Sequence, residues 1–387
     1  MQTQAPQRFI VSSTDAARLA RLRTEMLAKD PDAKVVHELP IIDAIAVEVQ
    51  DAGALRRLSF ASGAQVQPDR EITVPDLPAE PPGGPLELET STNALGLPEL
   101  WRKGITGKGV GIAVIDSGIA AHPDLSTHVI AFKDIEHHVD TPHDEFGHGT
   151  HVSSIAAGSG KASSGRYTGC APDADLIGVR VMDARGHGNV SDVIAGIQWT
   201  VDNKDAFHIR VMNMSIGQPI DNYAADDPVV KAVEAAAAKG IVPCISAGND
   251  GPGPMTVSSP GNAPSAITVG ALDTHGTVYN GDDTVARFSS RGPTNFDEFA
   301  KPDLVAPGVS ITAASNKGGY VSHSGTSMAS PMVAGCVALV LQARPDLTPA
   351  QVKALLVRTA DVLPNVDPST QGAGVINPGK AIAAQAG

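Results

Sequence analysis

The run Gly325-Thr326-Ser327-Met328-Ala329-Ser330-Pro331-Met332-Val333-Ala334-Gly335, continuing into Val337-Ala338-Leu339-Val340-Leu341, constrains this chain more than any other stretch. Its side chains are too small for a surface helix and suit one threaded through a crowded interior. The first turn of such a helix leaves backbone N–H groups unpaired beside the positive end of the helix dipole, a ready site for an anion forming near Ser327. A serine hydroxyl is inert alone. It needs a base within hydrogen-bond reach, and the base needs an orienting acid.

The chain supplies both. Gly109-Val110-Gly111-Ile112-Ala113-Val114-Ile115 has the continuous apolar character of a fully buried parallel strand, and Asp116 ends it. Gly147-His148-Gly149-Thr150-His151-Val152 opens a small-residue helical stretch through Ala157, which puts His148 at a helix start. The candidates therefore come in the order Asp, His, Ser. Between and after them, strands at 174–182, 211–215, 241–246 and 266–270 alternate with helices at 191–201 and 228–239, the pattern of a parallel α/β sandwich. Thr348-Pro349-Ala350-Gln351 is a capping box that starts a peripheral helix.

The segments AVIDSG (113–118), GHGTHV (147–152) and GTSMASPMVAG (325–335) resemble those of the subtilisin-like serine proteases, the subtilases. The resemblance covers roughly Leu97 to the C-terminus. It implies the subtilisin-like three-layer α/β fold with a mainly parallel sheet, and a catalytic triad of Asp116, His148 and Ser327. Ser246-Ala247-Gly248-Asn249-Asp250 matches the family segment whose Asn holds the oxyanion, which makes Asn249 the fourth catalytic candidate. Gly186-His187-Gly188 and Ser215-Ile216-Gly217 match the two segments that flank an extended peptide, where small residues leave backbone groups free for strand addition. Ile216, Val190 and Val193 are expected to line an apolar pocket for the fourth residue before the cleaved bond. Ser215-Ile216-Gly217 and Ser246-Ala247-Gly248 should wall the pocket for the residue just before it, with Ser258 at its base. No acid stands at these positions, so unbranched apolar residues are expected to be preferred there and Lys or Arg to be poor. Ser259-Pro260 matches a cis peptide of the family.

Residues 8–74 carry a β-α-β-β-α-β pattern, the ferredoxin-like arrangement. Strands are expected at 8–11, from Val35, at 45–49 and at 64–67, with helices at 15–29 and 54–60. In position and pattern this resembles the subtilase prodomain, which serves as folding template and inhibitor. The stretch from Thr73 to Thr92 holds Pro75, Pro78, Pro81, Pro82 and Pro85 and is expected to be extended, unpaired and open to proteolysis. The division is thus a prodomain at 1–74, a linker with the processing site at 75–96, and a peptidase domain at 97–387.

The whole reading is a self-processing zymogen of a serine endopeptidase acting on polypeptides, with its own prodomain as intramolecular inhibitor and a monomer as the expected state. A non-catalytic subtilase-like scaffold and a broad esterase are the competing classes, and the intact chemical residues disfavour the scaffold. Net charge is −13 and aromatic residues make up only 4% of the chain. Neither a basic stripe nor a stacking platform is on offer, which argues against nucleic acid and anionic membranes. No run approaches the ~18 uninterrupted apolar residues of a membrane helix, and Met1 to Ile10 lacks a basic-then-apolar leader. The expectation is cytoplasmic on the sequence as given, extracellular if a leader had been removed. Cys170, Cys244 and Cys336 are odd in number and scattered, so buried free thiols are expected.

His137, His138, His143, His148 and His151, with Asp140 and Asp144, suggest zinc, but there is no HExxH and no Cys partner. Gly158-Ser159-Gly160-Lys161 fails as a phosphate loop because Ala162 follows. No cofactor is needed for the chemistry. Structural calcium is an expectation that rests on Asp124 alone, which matches one family ligand, since the loop 158–169 lacks the usual Asn-containing insertion.

Overall fold

Alternation in the N-terminal segment becomes a sheet. The computed structural model describes residues 6–79, 86–278 and 281–384. Strands β1 (Gln7–Ser12), β2 (Lys34–Leu39), β3 (Ala44–Val49) and β4 (Gln65–Pro68) combine with helices α1 (Ala16–Lys29) and α2 (Ala52–Ser62). The sheet runs β2-β3-β1-β4, with antiparallel pairs throughout. Both helices begin on an aspartate, Asp15 accepting from Arg18 N and Asp51 from Ala54 N, which satisfies an orphan donor of each first turn. Phe9, Val11, Ile45, Val47 and Val49 meet Leu22, Met26 and Leu55 in a core of their own. The other face carries Ile10, Ala44 and Ala46, and these are buried too. Strand β3 is therefore covered on both sides, because its second face lies on the larger unit.

That unit follows in order. Short strands β5 (Glu71–Thr73) and β6 (Leu86–Glu87) precede α3 (Leu88–Ala94), α4 (Leu97–Arg102), β7 (Gly111–Asp116), β8 (Val129–Asp134), α5 (His148–Ala157), β9 (Asp175–Arg180), β10 (His187–Asn189) and α6 (Val190–Asp202). Then come β11 (Ile209–Met214), α7 (Pro228–Ala238), β12 (Val242–Ser246), β13 (Ile267–Asp273), β14 (Thr284–Val285), β15 (Leu304–Pro307), β16 (Ile311–Ala314), β17 (Tyr320–His323), α8 (Thr326–Ala343) and α9 (Pro349–Thr359). The central sheet has the order β14-β13-β12-β11-β7-β9-β8, with β15 beside β13, and every pair except β13–β14 is parallel. Helices α5 and α8 cover one face and α6 and α7 the other. The N-terminal sheet sits on the α6 and α7 side, through Ile10, Leu39, Ala44 and Ala46.

From β7 the chain goes to the edge at β8, comes back inward to β9, and then crosses to β11 on the other side of β7. A crevice opens at the carboxyl ends of β7 and β11, where such sheets bind ligands. Helix α8 has a mean hydropathy of 1.4 over 18 residues, enough by composition for a membrane span, yet 89% of it is buried inside the fold. Its small residues permit this. A Cβ at Gly335 would come within 2.6 Å of the Cys170 Cβ and 2.7 Å of the Ala156 carbonyl oxygen.

The Pro-rich stretch departs from expectation. Its start is paired rather than free, and α3 lies inside the span read as linker, with Leu88 fully buried in the main core. Pro81, Pro82 and Pro85 of that stretch lie outside the described residues.

Candidate active site

The site is assembled on the ends of two neighbouring parallel strands. Ile115 of β7 stands opposite Met214 of β11, so Asp116 and Ser215 follow side by side. Asp116 is fully buried, and its carboxylate accepts from His148 Nδ1 at 2.8 and 3.0 Å and from the Ser117 amide at 2.7 Å. That contact fixes the tautomer with the proton on Nδ1 and leaves Nε2 as the basic nitrogen. Nε2 is buried and has no hydrogen-bond partner among the described residues.

His148 is the first residue of α5, and the turn before it is pinned by Asp144. One Asp144 oxygen accepts from Ser117 Oγ (2.9 Å) and Gly147 N (2.7 Å), the other from Thr150 N (2.9 Å) and Thr150 Oγ1 (2.6 Å). Ser117 Oγ in turn accepts from Gly149 N at 2.9 Å. A Cβ at Gly149 would lie 2.2 Å from the Gly118 carbonyl oxygen, so only glycine lets α5 start this close to the end of β7. Asp144 was weighed only as a zinc ligand and not as a support for His148, although an aspartate just before a small-residue helix is a helix-start signal.

Ser327 lies in the first turn of α8, fully buried. Pro331 has no N–H to give the carbonyl of Ser327, four residues earlier. That freed carbonyl accepts from Ser215 Oγ at 3.0 Å, and Ser215 Oγ accepts from Asn213 Nδ2 at 3.1 Å. Ser330 Oγ closes the loop on Asn213 Oδ1 at 2.8 Å. The serine hydroxyl itself donates to the Ser215 carbonyl at 3.4 Å, not to His148. Asn249 Oδ1 accepts from both Thr326 N and Thr326 Oγ1 at 3.0 Å, which turns Nδ2 outward as a donor. Nδ2 meets the carbonyl of Asp76 at 3.0 Å.

The Subtilase family model matches residues 107–374. The chain belongs to the subtilase family. It is 41% identical over 376 residues to the serine protease AprX of Bacillus subtilis strain 168, covering 91% of this chain and 82% of that one. It is 39% identical over 271 residues to subtilisin E of the same strain, covering 69% of this chain and 65% of that one. Among solved structures, fervidolysin from Fervidobacterium pennivorans, a keratinolytic enzyme related to subtilisin, aligns with a TM-score of 0.79 at 25% identity, over 98% of this chain and 61% of that one. The chain is a subtilisin-like serine endopeptidase, with the family's mainly parallel α/β fold.

In this subtilase the two expected peptide-flanking segments hold residues 71–74. Strand β5 pairs antiparallel with β10, Gly188 opposite Ile72 and His187 opposite Thr73. On the other side Thr73 exchanges two hydrogen bonds with Gly217 (3.2 and 2.9 Å), and Val74 N donates to Gly186 O at 3.0 Å. Ile72 is fully buried in the cluster that contains Val190, Val193 and Ile216. Beside Asp76 lies a cavity of about 250 Å³ lined by Gly217, Gly248, Asn249 and Ser258. Ser215, Ile216, Ser246 and Ala247, expected as walls of the pocket, are fully buried and do not line this cavity. Sequence reasoning missed Asp250, whose exposed residue also lines that cavity and places an acid at its rim. The Ser259–Pro260 peptide is cis.

Of the other histidines in the zinc set, His137, His143 and His151 have structural partners. His151 Nε2 meets the Ile311 and Val321 carbonyls at 3.1 and 3.0 Å, and burial, with His323 and His148 nearby, pushes its pKa down to about 3, so it is neutral. His137 and His143 gather with Arg180 on Asp134. Burial alone would raise the pKa of Asp134, and the His137 amide and Arg180 overcome it, so the net shift is down.

Asp124 is fully buried, its Oδ2 accepting from Tyr320 Oη at 2.7 Å and its Oδ1 from Ala162 N at 2.8 Å and Ser159 Oγ at 3.5 Å. Among the described residues no group of three or more His, Cys, Asp or Glu side chains is arranged to hold a metal ion. Cys170, Cys244 and Cys336 are buried free thiols.

Proposed function

We propose that this subtilase is made as a self-processing zymogen whose residues 1–74 form a ferredoxin-like prodomain that docks on the peptidase domain and inhibits it, the chain acting as a monomer. Ser327 Oγ attacks the peptide carbonyl and passes its proton to His148 Nε2, while Asp116 holds the imidazolium through Nδ1. Asn249 Nδ2 and the Ser327 N–H stabilise the negative oxygen. The C–N bond then breaks, the leaving amine takes the proton from Nε2, and the acyl-enzyme remains. Water, deprotonated by the same nitrogen, releases the acid. Polypeptides bind as added strands between Gly186-His187-Gly188 and Ser215-Ile216-Gly217, the class of recognition in which main-chain hydrogen bonds give affinity and side-chain pockets give specificity.

The observation that carries the zymogen reading is the chain's own residues 71–74 paired in that groove, between β10 and Gly217, with the Asp76 carbonyl on the Asn249 amide. The bond so presented is Asp76–Leu77. The whole chain weighs 39.7 kDa over 387 residues, so a cut there releases about 8 kDa. Full-length wild type and Ser327→Ala, expressed in parallel and weighed by mass spectrometry, decide the matter. Wild type should lose the fragment, while Ser327→Ala should stay at 39.7 kDa with the N-terminal module in place. A wild type that is fully active and intact, or a Ser327→Ala cut at the same bond without added protease, refutes the reading.

A further inference from the structure

The linker fits its own groove well as far as Val74 and then misfits. Thr73 and Gly217 form a doubly hydrogen-bonded antiparallel pair. Such pairs recur every second residue along the two strands, so the next one should join residue 75 to residue 215. In that pair the N–H of residue 75 would donate to the Ser215 carbonyl. Residue 75 is proline and has no N–H.

Two departures follow at once. The Ser215 carbonyl, without a donor from the linker, takes the hydroxyl of Ser327 instead (3.4 Å), while His148 Nε2 is left with no partner among the described residues. The carbonyl of a residue paired with Ser215 lies on the same edge as its N–H, so the Asn249 amide should meet the carbonyl of residue 75. It meets that of residue 76, one position late. The upstream half of the linker agrees with the missing register, not with the observed one. Ile72 fills the apolar pocket expected for the fourth residue before the bond, and counting from Ile72 puts that bond at Pro75–Asp76.

Resting on the zymogen reading above, we infer that Pro75 is the specificity-determining residue that makes this linker an inhibitor of its own active site rather than a ready substrate. By withholding one N–H it parks the nucleophile's proton on the Ser215 carbonyl, away from the base, and slips the downstream chain by one residue. Substrates with an N–H at this position compete for the Ser215 carbonyl, release the Ser327 hydroxyl to His148 and enter in register. The groove therefore separates its own linker from other peptides by a main-chain hydrogen bond, without reading a side chain.

Pro75→Ala restores the donor. One net hydrogen bond is worth about 0.5–1.5 kcal/mol, which converts to a rate factor between roughly twofold and thirteenfold. Full-length wild type, Pro75→Ala and Pro78→Ala are followed by mass spectrometry after refolding, Pro78→Ala controlling for loss of a linker proline outside the paired stretch. The expected result is a several-fold shorter life of the uncut Pro75→Ala chain, with its cut moved to follow position 75, against a cut after Asp76 in wild type and Pro78→Ala. In a second arm, peptides spanning 69–79 with proline, alanine or N-methylalanine at position 75 are given to the active enzyme. The alanine peptide should be cut fastest, and the N-methylalanine peptide, which lacks the N–H but also lacks the ring, should be as slow as the proline peptide. Equal lifetimes and one cut position for wild type and Pro75→Ala overturn the inference, as does an N-methylalanine peptide cut like the alanine one. If every chain stays whole while hydrolysing an added protein, self-processing falls, and the three peptides alone then decide the role of Pro75.

Discussion

Asp144 offers a direct test of how the base is held. Four donors converge on its carboxylate: Ser117 Oγ and Gly147 N on one oxygen, Thr150 N and Thr150 Oγ1 on the other. Hydrogen bonds to a charged group are worth about 1.5–3 kcal/mol each, but four on one acceptor do not add, and the residue keeps 6% exposure through which water can return. About 3 kcal/mol is the reasonable cost of Asp144→Ala. Asp144→Asn is the sharper variant, because each oxygen faces a backbone N–H that cannot turn away. Whichever way an asparagine amide is placed, its NH2 opposes either Gly147 N or Thr150 N, so the near-isosteric change should cost roughly as much as the truncation, about 2–4 kcal/mol. The start of α5 would shift with it. A displacement of about 1 Å in a catalytic group costs on the order of 10²-fold in rate, so kcat should fall steeply while KM moves little. Urea unfolding in a Ser327→Ala background, where the chain cannot cut itself, gives the stability. Initial rates on a peptide substrate with Ser327 intact give the turnover. An Asp144→Asn chain within about 0.5 kcal/mol of its parent and with unchanged kcat would refute both the four-donor account and the positioning of His148 through it.

Two further outcomes are expected. Asn249→Ala should lower kcat on the order of 10²–10³-fold with little change in KM, a magnitude known for an oxyanion donor in subtilisin itself, and steady-state kinetics showing an unaltered kcat in the folded variant would remove Asn249 from the site. Arg8 bridges the N-terminal sheet to α6, lying 3.0 Å from both Asp69 and Asp192 and donating to Ser191 Oγ at 2.7 Å. Arg8→Ala removes the guanidinium from both carboxylates, leaving Asp192 with His37 Nε2 at 2.6 Å and Asp69 with its Ser191 donors, so docking of the N-terminal module should weaken by about 1.5–3 kcal/mol, and activity should follow the cut with a shorter lag. An unchanged lag would mean the cluster does not hold the module.

Much of this architecture is written locally. Apolar runs announced β7, β11, β12 and β13 to within a few residues, the helical pattern at 15–29 announced α1, and a capping box announced α9, whose Thr348 and Gln351 make both of its bonds. His148 and Ser327 fell at helix starts because small residues on one side and glycine on the other leave few alternatives. What stayed hidden depends on partners far away in sequence. Alternation in 45–49 marks one apolar face but not that alanines on the other meet a second unit. Proline content makes 73–79 extended, and nothing nearby tells that Gly217 will claim Thr73 from across the fold. The partner of Asp124 is equally remote, for Tyr320, almost two hundred residues later, donates to its carboxylate.

Pro331 shows why a local rule can fail usefully. By propensity a proline at the sixth position of an eighteen-residue helix is a defect of about 3 kcal/mol, since it removes a donor and crowds the preceding turn. Here the orphaned acceptor is the carbonyl of Ser327 itself, and the strand end beside it supplies the missing donor through Ser215 Oγ. Asn213 and Ser330 hold that hydroxyl in orientation. The defect therefore becomes a cross-link between β11 and α8 at the residue that must be placed best. It also leaves the Ser215 carbonyl, the other polar group of the same residue, facing the groove, where Ser327 Oγ and an incoming N–H contend for it. Position of the nucleophile and recognition of the chain it attacks are thus read by two atoms of one serine, and the linker's proline disturbs only the second.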